Sequence, residues 1–349
     1  MRILFVSPRY SNEVIGGGEI SLQILTKALA ERGHQIKVLT TEIGKNKEIL
    51  EGVEIERLPK IKDHISLFIL KILKESKKFD VIHGYNSELI SQLILSKIFI
   101  RKPLIITLNY FPSKHFPKFL AKYGGVNMFH CVSNSINEAY QKIGIDKEKL
   151  LIIENMLEKS FLQNQRSRTK NVQRITYIGQ LKRQKGIHLL LEAFSKLKNQ
   201  NLKLIIVGKG PEKNNLIQLS KSLGISSRVS FTELDYSKIK NHLDSCDILI
   251  QPSLWPEASS RVIIEAMSRG CVPIVSGVGA NRELVCDEGL IFEKGKINEL
   301  IKKLKSLIYN KEIFIKNSRE AIGKSKRFSN DNNISKFEKL YVKSLDDNY

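Results

Sequence analysis

The segment from Ser253 to Met267 carries two glutamates, Glu257 and Glu265, that lie eight positions apart. Its apolar spacing predicts a loop at a strand end followed by a helix, with Glu257 just before the helix and Glu265 inside it. Carboxylates placed in this way each accept hydrogen bonds from a pair of vicinal hydroxyls. The helix start between them favours a diphosphate, held by the backbone N–H groups of Ser259, Ser260 and Arg261. A surface glutamate and an ordinary helix glutamate are the alternative interpretation.

A basic loop, Gly179–Gly186, follows a predicted strand and ends where a helix is predicted to begin. It contains three cationic side chains, those of Lys182, Arg183 and Lys185. Fixed cations beside helix-start N–H groups are typical of a phosphate-binding site. The loop lacks the Lys-Ser/Thr ending of a Walker A motif. A solvated basic loop is the alternative.

A third loop, Gly16-Gly17-Gly18-Glu19, lies between the first predicted strand and the first predicted helix. Its glycines permit close approach of a ligand to the backbone, and the helix start favours anionic or polar groups. The glycine spacing does not match the dinucleotide pattern GxGxxG. A plain turn is the alternative here.

Strands and helices are predicted to alternate along the whole chain. Short apolar runs such as Ile3–Val6 and Leu104–Leu108 predict buried strands, and amphipathic stretches between them predict helices. The pattern restarts at Ile175 and therefore predicts two doubly wound parallel sheets, with ligands bound in a cleft between their carboxyl edges. We predict an N-terminal domain of residues 1–160, a polar linker of residues 161–172 and a C-terminal domain of residues 173–328.

The 349 residues include 57 Lys and Arg against 36 Asp and Glu, a formal charge of +21 that is spread over both halves. Such an excess suits phosphate-bearing small molecules, an anionic membrane surface or nucleic acid. The four cysteines show no metal-binding or disulfide spacing. Because the sequence has no signal peptide and no apolar stretch of about 18 residues, we expect a cytoplasmic protein with reduced cysteines.

Taken in order, these motifs resemble those of the retaining GT-B glycosyltransferases of the glycosyltransferase 4 family. The resemblance covers almost the full chain. The further motifs that carry it are Asp80-Val81-Ile82-His83, Val207-Gly208-Lys209-Gly210-Pro211, Cys246-Asp247 with Pro252-Ser253, and Pro273-Ile274 with Glu283. It implies the GT-B fold, an α/β fold of two Rossmann-like domains that face each other across a cleft.

The resemblance also implies site residues. Catalytic roles fall on His83, Lys185 and Glu257. Donor binding is assigned to Gly17, Gly18, Gln180, Arg183, Lys185, Gly208, Ser259, Ser260, Arg261 and Glu265. Gln180 stands where the family usually has arginine, so the diphosphate depends on Lys185, with Arg183 as a substitute. Ser259 and Ser260 replace the usual aromatic–glycine pair, and Tyr85 replaces a second histidine after His83.

The acceptor is expected on the N-terminal domain. The candidates for contacting it are Glu19, Tyr85, Lys114 and Lys118. Lys114–Tyr123 mixes cations with aromatic side chains, a composition that suits an anionic membrane surface as well as a solvated loop. The first interpretation is compatible with a lipid-linked acceptor and with peripheral binding at the cytoplasmic face of a membrane.

The predicted function is the retaining transfer of a sugar from a nucleotide-diphosphate sugar, of the UDP or GDP type, to a glycan or lipid-linked acceptor. Surface polysaccharide, glycolipid or glycoprotein assembly would use such a reaction. No metal or other cofactor is expected, because protein cations and the helix dipole offset the charge of the leaving diphosphate. A nucleotide-sugar epimerase or a glycogen-synthase-like enzyme is the alternative. A non-enzymatic protein that binds nucleic acid or membranes through its basic charge is a distant alternative, and we expect no nucleic-acid partner.

Near the C-terminus, Ile334, Phe337, Leu340 and Tyr341 recur at helical spacing. In GT-B proteins the final helix crosses back to the first domain. We therefore predict that residues 329–349 return to the N-terminal domain and that this apolar stripe packs there.

Overall fold

The computed structural model describes residues 1–10, 16–41, 44–58, 61–85, 90–113 and 124–346. The chain divides into two compact units. The first unit contains Met1–Met156 and Asn330–Tyr349, and the second contains Leu157–Ser329.

Each unit is built on its own sheet. The strands of the first are β1 (Arg2–Val6), β2 (Gln35–Thr40), β3 (Lys47–Leu50), β4 (Val53–Arg57), β5 (Val81–Tyr85), β6 (Leu104–Leu108), β7 (Met128–Cys131) and β8 (Leu150–Ile152). Those of the second are β9 (Arg174–Ile178), β10 (Lys203–Val207), β11 (Val229–Thr232), β12 (Ile248–Gln251), β13 (Val272–Ser276) and β14 (Ile291–Phe292). The strand order is β3-β4-β2-β1-β5-β6-β7-β8 in the first sheet and β11-β10-β9-β12-β13-β14 in the second.

Helices connect the strands. They are α1 (Gly17–Glu31), α2 (Ile61–Ser76), α3 (Ile90–Lys97), α4 (Asn134–Lys142), α5 (Lys159–Leu162), α6 (Ile187–Ser195), α7 (Lys213–Ser222), α8 (Tyr236–Asp244), α9 (Arg261–Ser268), α10 (Asn281–Leu284), α11 (Ile297–Tyr309), α12 (Lys311–Ser325) and α13 (Asn330–Asp346). None of the helices among the described residues has the length and hydropathy that a membrane crossing requires.

The predicted alternation of strands and helices is confirmed. Among the described residues, every strand pairing of the second unit is parallel, and in the first unit only β3 and β4 pair antiparallel. That hairpin turns at Glu51 and Gly52, whose φ angles of 49° and 80° are both left-handed. No pattern in the sequence predicts β3, which is short and lies at the edge of the sheet.

The final helix packs on the first unit, as predicted. Ile334, Phe337, Leu340 and Tyr341 are each 3% exposed or less and share a core with β1 and β5 residues such as Phe5 and Val81. One apolar face of α13 thereby covers one face of the first sheet. The prediction that this stripe returns to the N-terminal domain is confirmed.

Residues 161–172, which the sequence analysis assigned to a linker, lie within the second unit. Phe161 is buried in its core. The side-chain amide of Gln165 donates to Ser268 O at 3.1 Å, and the Arg168 N–H donates to Ser318 Oγ at 2.8 Å. Polar composition suggested an open linker, but these polar groups bind the segment to α9 and α12.

Candidate functional site

The loops that follow β9 and β10 interlock at the carboxyl edge of the second sheet. The Gly179 N–H donates to Val207 O at 3.0 Å, and the Leu181 N–H donates to Lys209 O at 2.7 Å. Gly208 has a φ of 151°, and a Cβ there would lie 1.9 Å from Gly179 O. Only glycine permits this approach, so Gly208 shapes the loop that carries the predicted phosphate-binding cations.

The basic loop is joined in the same way to the loop after β12. Gly186, with a φ of 71°, separates the turn Arg183–Lys185 from helix α6. A Cβ on Gly186 would lie 2.0 Å from Pro252 O, and the Leu254 N–H donates to Gln184 O at 2.8 Å. The two segments that the sequence analysis singled out are therefore neighbours in space.

Lys185 and Glu257 form an ion pair across this junction. Lys185 Nζ lies 2.7 Å from Glu257 Oε1, and the Ser253 hydroxyl donates to the same oxygen at 2.5 Å. The two side chains are 23% and 17% exposed, so the pair is partly buried but reaches solvent. The structure thus brings together two of the three residues predicted to be catalytic.

The backbone of Glu257 is also fixed. The Ala280 N–H donates to Glu257 O at 2.8 Å, and a Cβ on Gly279 would lie 2.3 Å from that oxygen. The Ser276 hydroxyl donates to Ser253 O at 2.7 Å. The loop after β13 therefore fixes the backbone of the segment that carries Glu257.

Glu265 lies on α9 and has its own polar partners. Its Oε1 accepts hydrogen bonds from Tyr236 Oη at 3.0 Å and from Arg261 Nη2 at 3.0 Å. Glu265 and Arg261 are 3% and 5% exposed. The pair of Glu265 and Arg261 is therefore buried and also contacts the phenol of Tyr236. Tyr236 is a site residue that was not predicted from the sequence. No local signal marks it, because only the fold brings α8 beside α9.

The two glutamates share one feature. All the described hydrogen bonds of each carboxylate reach Oε1, and no donor among the described residues reaches Oε2 of either Glu257 or Glu265. One oxygen of each carboxylate is held by the protein, while the other retains its capacity to accept hydroxyl groups. This arrangement suits recognition of two polyol groups.

The start of α9 lies between these glutamates in the chain. Ser259 and Ser260 are partly exposed there, whereas the Arg261 guanidinium turns inward to Glu265. Gln180 and Arg183 are exposed on the basic loop, and Arg183 forms no ion pair with any residue that the structure describes. A cation that has no counter-ion among the described residues, beside a helix start, favours the binding of an anionic ligand.

Other predicted residues lie in the first unit. Gly17 and Gly18 form the first turn of α1, and a Cβ on Gly18 would lie 3.2 Å from Asn109 Nδ2. Glu19 follows them, with its carboxylate 3.6 Å from Arg9 Nη1. These three residues lie together in the first turn of α1. Their assigned roles stay predictions.

His83 does not occupy a surface that is open to a sugar. It is 0% exposed, with Nδ1 2.9 Å from Tyr341 Oη and Nε2 2.8 Å from Thr107 Oγ1. Tyr85 is 3% exposed in the same core. Helix α13 covers the face of β5 from which both side chains project, and this corrects the catalytic role predicted for His83 and the acceptor role predicted for Tyr85.

The His83 contacts belong to a longer polar chain. Thr107 Oγ1 lies 2.9 Å from His130 Nδ1, and His130 Nε2 lies 2.8 Å from Ile153 O. Because a carbonyl only accepts, His130 must donate through Nε2, and Thr107 then donates to His130. His83 consequently donates to Thr107 and accepts from Tyr341. This series of donors and acceptors is complete only when both imidazoles are neutral.

This network predicts loss of stability in mild acid. Burial lowers the pKa of His130 to about 4, and burial with repulsion from His130 lowers the pKa of His83 well below its ordinary value. The pKa of a histidine in the unfolded chain is near 6.5. The contribution of the network to the stability of the fold is therefore complete above about pH 6.5 and is lost as pH falls toward 4. Protection factors of amide hydrogens in β5–β7 peptides, which correct for the slower intrinsic exchange at lower pH, should fall between pH 6.5 and 5, before most carboxylates titrate. Unchanged protection factors over that interval would contradict the assignment.

Two predicted acceptor residues, Lys114 and Lys118, lie outside the described residues, as does the rest of Lys114–Tyr123. Among the residues that are described, no group of three or more His, Cys, Asp or Glu side chains is arranged to hold a metal ion.

The architecture and the site define a class. Two Rossmann-like units, the second with its polar residues at the carboxyl edge of the sheet, and a C-terminal helix that returns to the first constitute the GT-B fold. A crystal structure of Anabaena HepE in complex with UDP has this fold, with a TM-score of 0.83 at 21% identity over 98% of this chain and 100% of that one.

Comparison of the sequence with protein families identifies the chain further. Residues 15–160 match Glycosyltransferase Family 4, and residues 158–327 match Glycosyl transferases group 1. N-acetyl-alpha-D-glucosaminyl L-malate synthase of Bacillus anthracis is 24% identical over 95% of both chains. A Campylobacter jejuni N-acetylgalactosaminyltransferase, named for a diphospho-undecaprenol-linked substrate, is 30% identical over 38% of this chain and 37% of its own. The chain belongs to the glycosyltransferase 4 family, and the protein is a glycosyltransferase.

Proposed function

We propose that this enzyme transfers a glycosyl group from a UDP-sugar, with retention of configuration, to a lipid-linked or glycan acceptor. The observation that carries the proposal is the pair of carboxylates at Glu257 and Glu265, on either side of the α9 start, whose Oε2 atoms accept no hydrogen bond from the described residues. A nucleotide sugar has two polyol groups, the ribose and the transferred sugar, separated by a diphosphate. The site offers the complementary groups in the same order.

In the proposed complex, Glu265 accepts hydrogen bonds from the ribose hydroxyls and Glu257 from the hydroxyls of the sugar. The diphosphate lies at the start of α9, near Ser259 and Ser260. Lys185 and Arg183 offset its charge, which grows as the glycosidic bond breaks. The described cations and the helix dipole supply this compensation, so we propose that the reaction requires no metal ion. Turnover in excess EDTA should equal turnover without it.

The proposed reaction exchanges one bond at the anomeric carbon. The bond from that carbon to the diphosphate oxygen breaks, and the acceptor hydroxyl forms its bond on the same face. The acceptor proton passes to the departing diphosphate, which is the base nearest to the attacking oxygen. The role of the protein is then to stabilise separated charge, a sugar with oxocarbenium character and an anionic leaving group.

Comparison with relatives supports the choice of substrates. HepE structures exist with UDP and, at 20% identity and a TM-score of 0.82, with UDP-glucose. The Campylobacter relative has a name that describes a lipid-linked substrate. A lipid-linked acceptor would place the enzyme at the cytoplasmic face of a membrane. Glu19, in the first turn of α1, is our candidate for an acceptor contact from the first unit.

A binding and turnover panel tests the proposal. UDP at about 100 times its Kd should add about 2.7 kcal/mol to the stability of the protein, and GDP and ADP should add less. Trp255, the only tryptophan in the chain, is 63% exposed and lies two residues before Glu257, so its fluorescence should respond to UDP. With UDP-sugar and an acceptor, NMR of the product should show the anomeric configuration of the donor. Release of UDP without any acceptor would indicate an epimerase or a hydrolase instead.

Glu265→Gln tests the ribose contact. Glutamine is chosen rather than alanine, because the carboxylate faces the buried guanidinium of Arg261. Alanine would leave the buried guanidinium without a partner and lower the free energy of unfolding by about 3–5 kcal/mol. Glutamine keeps an acceptor for Tyr236. We expect Glu265→Gln to weaken UDP binding by about 1.5–3 kcal/mol, the contribution of hydrogen bonds to a charged acceptor.

The matched ligand for that test is 2′-deoxy-UDP, and the matched variant is Glu312→Gln, an exposed glutamate on α12. Calorimetry should show that wild type and Glu312→Gln both prefer UDP to its deoxy analogue. Glu265→Gln should bind the two equally. A preserved preference for UDP in Glu265→Gln would show that another group binds the ribose.

A further inference from the structure

The last turn of α3 and the turn that follows it expose large apolar side chains. Leu95 is 45% exposed, Ile98 75% and Phe99 74%. We call residues 95–99 the apolar turn. Apolar residues scattered singly over a surface need no explanation, but three of them within five positions form a patch.

The apolar turn is held in its conformation by internal bonds. The Phe99 N–H donates to Ser96 O at 3.0 Å, and the Ile100 N–H donates to Lys97 O at 3.2 Å. Lys97 Nζ donates to Lys102 O at 2.7 Å, and Ile100 is 5% exposed in the core. The turn therefore has a fixed conformation in which Ile98 and Phe99 face solvent, while the next residue, Ile100, is buried.

The topology of the first sheet places cations beside this turn. Strands β5 and β6 are parallel neighbours, so the segments that enter them lie side by side at the amino edge of the sheet. Lys77 and Lys78 precede β5, and Arg101 and Lys102 precede β6. Asp80 on the same edge is neutralised by Arg2 at 2.6 Å, and Lys78 is paired with Glu75 at 3.2 Å. Among the residues that the structure describes, this edge therefore carries more cationic than acidic side chains.

We propose that the apolar turn inserts into the interfacial region of an anionic phospholipid bilayer, with Lys77, Arg101 and Lys102 at the level of the headgroups. An apolar centre with a basic rim has the chemistry of that interface, where apolar side chains enter the acyl boundary and cations attract anionic lipid. A soluble protein partner of ordinary charge would not require the cationic rim. The biological purpose of this contact rests on the proposed lipid-linked acceptor, but the contact itself does not depend on the donor site.

Vesicle co-sedimentation tests the proposal without a donor or an acceptor. The variant is Ile98→Ser/Phe99→Ser, and the matched control is Ile49→Ser, which changes a 78% exposed isoleucine on the edge strand β3 of the same unit. Because these side chains are exposed, all proteins should melt at the same temperature. Vesicles of phosphatidylglycerol and phosphatidylethanolamine are compared with vesicles of phosphatidylcholine alone.

We expect wild type and Ile49→Ser to bind the anionic vesicles and the double variant to bind on the order of tenfold more weakly, since partitioning scales with the apolar area buried. Binding of wild type should fall in high salt, because screening weakens the cationic contribution. Equal binding by the double variant, or no wild-type binding to anionic vesicles, would overturn the proposal. So would a wild-type dimer that the double variant dissociates, because the turn would then contact a second copy. Turnover of a soluble acceptor analogue by the double variant separates this outcome from a failure of the proposed function.

Discussion

Lys185→Ala is expected to lower kcat by about 10²–10³, the usual effect of removing one group that stabilises developing charge in a transition state. Lys185 lies 2.7 Å from Glu257 and ends the turn that precedes α6, so its ammonium group is held where the diphosphate is proposed to bind. The pair is partly exposed, and the Ser253 hydroxyl still contacts Glu257 when the lysine is removed. The free energy of unfolding should therefore change little.

Lys182→Ala is the control, because it removes an exposed cation from the same loop without disturbing the ion pair. Steady-state kinetics should show an intact kcat for Lys182→Ala and partial recovery in Lys185→Arg, which restores the charge with a different geometry. UDP affinity in Lys185→Ala should fall less than kcat, since the contact strengthens as charge develops. An equal loss of kcat in both alanine variants would mean that the loop acts through its net charge alone.

The donor-side residues could be found from the sequence because their signals are local. Glu257 and Glu265 belong to one segment, and Lys185 lies in a loop whose glycines and cations are adjacent in the chain. The structure adds what no local pattern contains, that Gly186 packs against Pro252 and that Tyr236 contacts Glu265. These contacts join segments that are distant in the chain.

His83 and Tyr85 show the limit of the same reasoning. His83 and Tyr85 lie two positions apart on β5 and therefore on one face of the strand, but whether that face is open depends on a helix about 250 residues later. The bond between His83 and Tyr341 joins positions separated by 258 residues. The sequence predicted the return of α13 and separately predicted an open histidine. The two predictions are not compatible, because the returning helix covers the histidine. Burial of apolar surface stabilises the packed helix.

The prediction of a linker was wrong for a related reason. Residues 161–172 are polar, and composition alone favours a solvated segment. In the structure, Arg269 donates to Phe161 O at 3.0 Å and to Gln163 O at 2.6 Å. A buried arginine on the turn after α9 thus satisfies the backbone of the segment and holds it on the second unit. Such a partner is visible only after the fold is known.

The largest effect on stability is expected from Phe337→Ala. Phe337 is 3% exposed, and its ring lies 4.7 Å from the His130 ring and 6.4 Å from the Tyr341 ring. Replacing a buried phenylalanine by alanine costs about 3–5 kcal/mol, because burial is lost and a cavity is left. The cavity would also border the His83 network, in which burial lowers the pKa of both imidazoles.

Hydrogen exchange locates this loss. Peptides from Met1–Met156 should exchange faster in Phe337→Ala, while those from Leu157–Ser329 should be unchanged, because α13 shares its core with the first unit. Val342→Ala is the control: Val342 lies on the same helix but is 49% exposed, so its effect should stay within about 0.5 kcal/mol. Equal acceleration in both units, or an equal effect of the two variants, would contradict the assignment of α13 to the core of the first sheet. The expected pattern would show that the last helix of the chain stabilises the first domain.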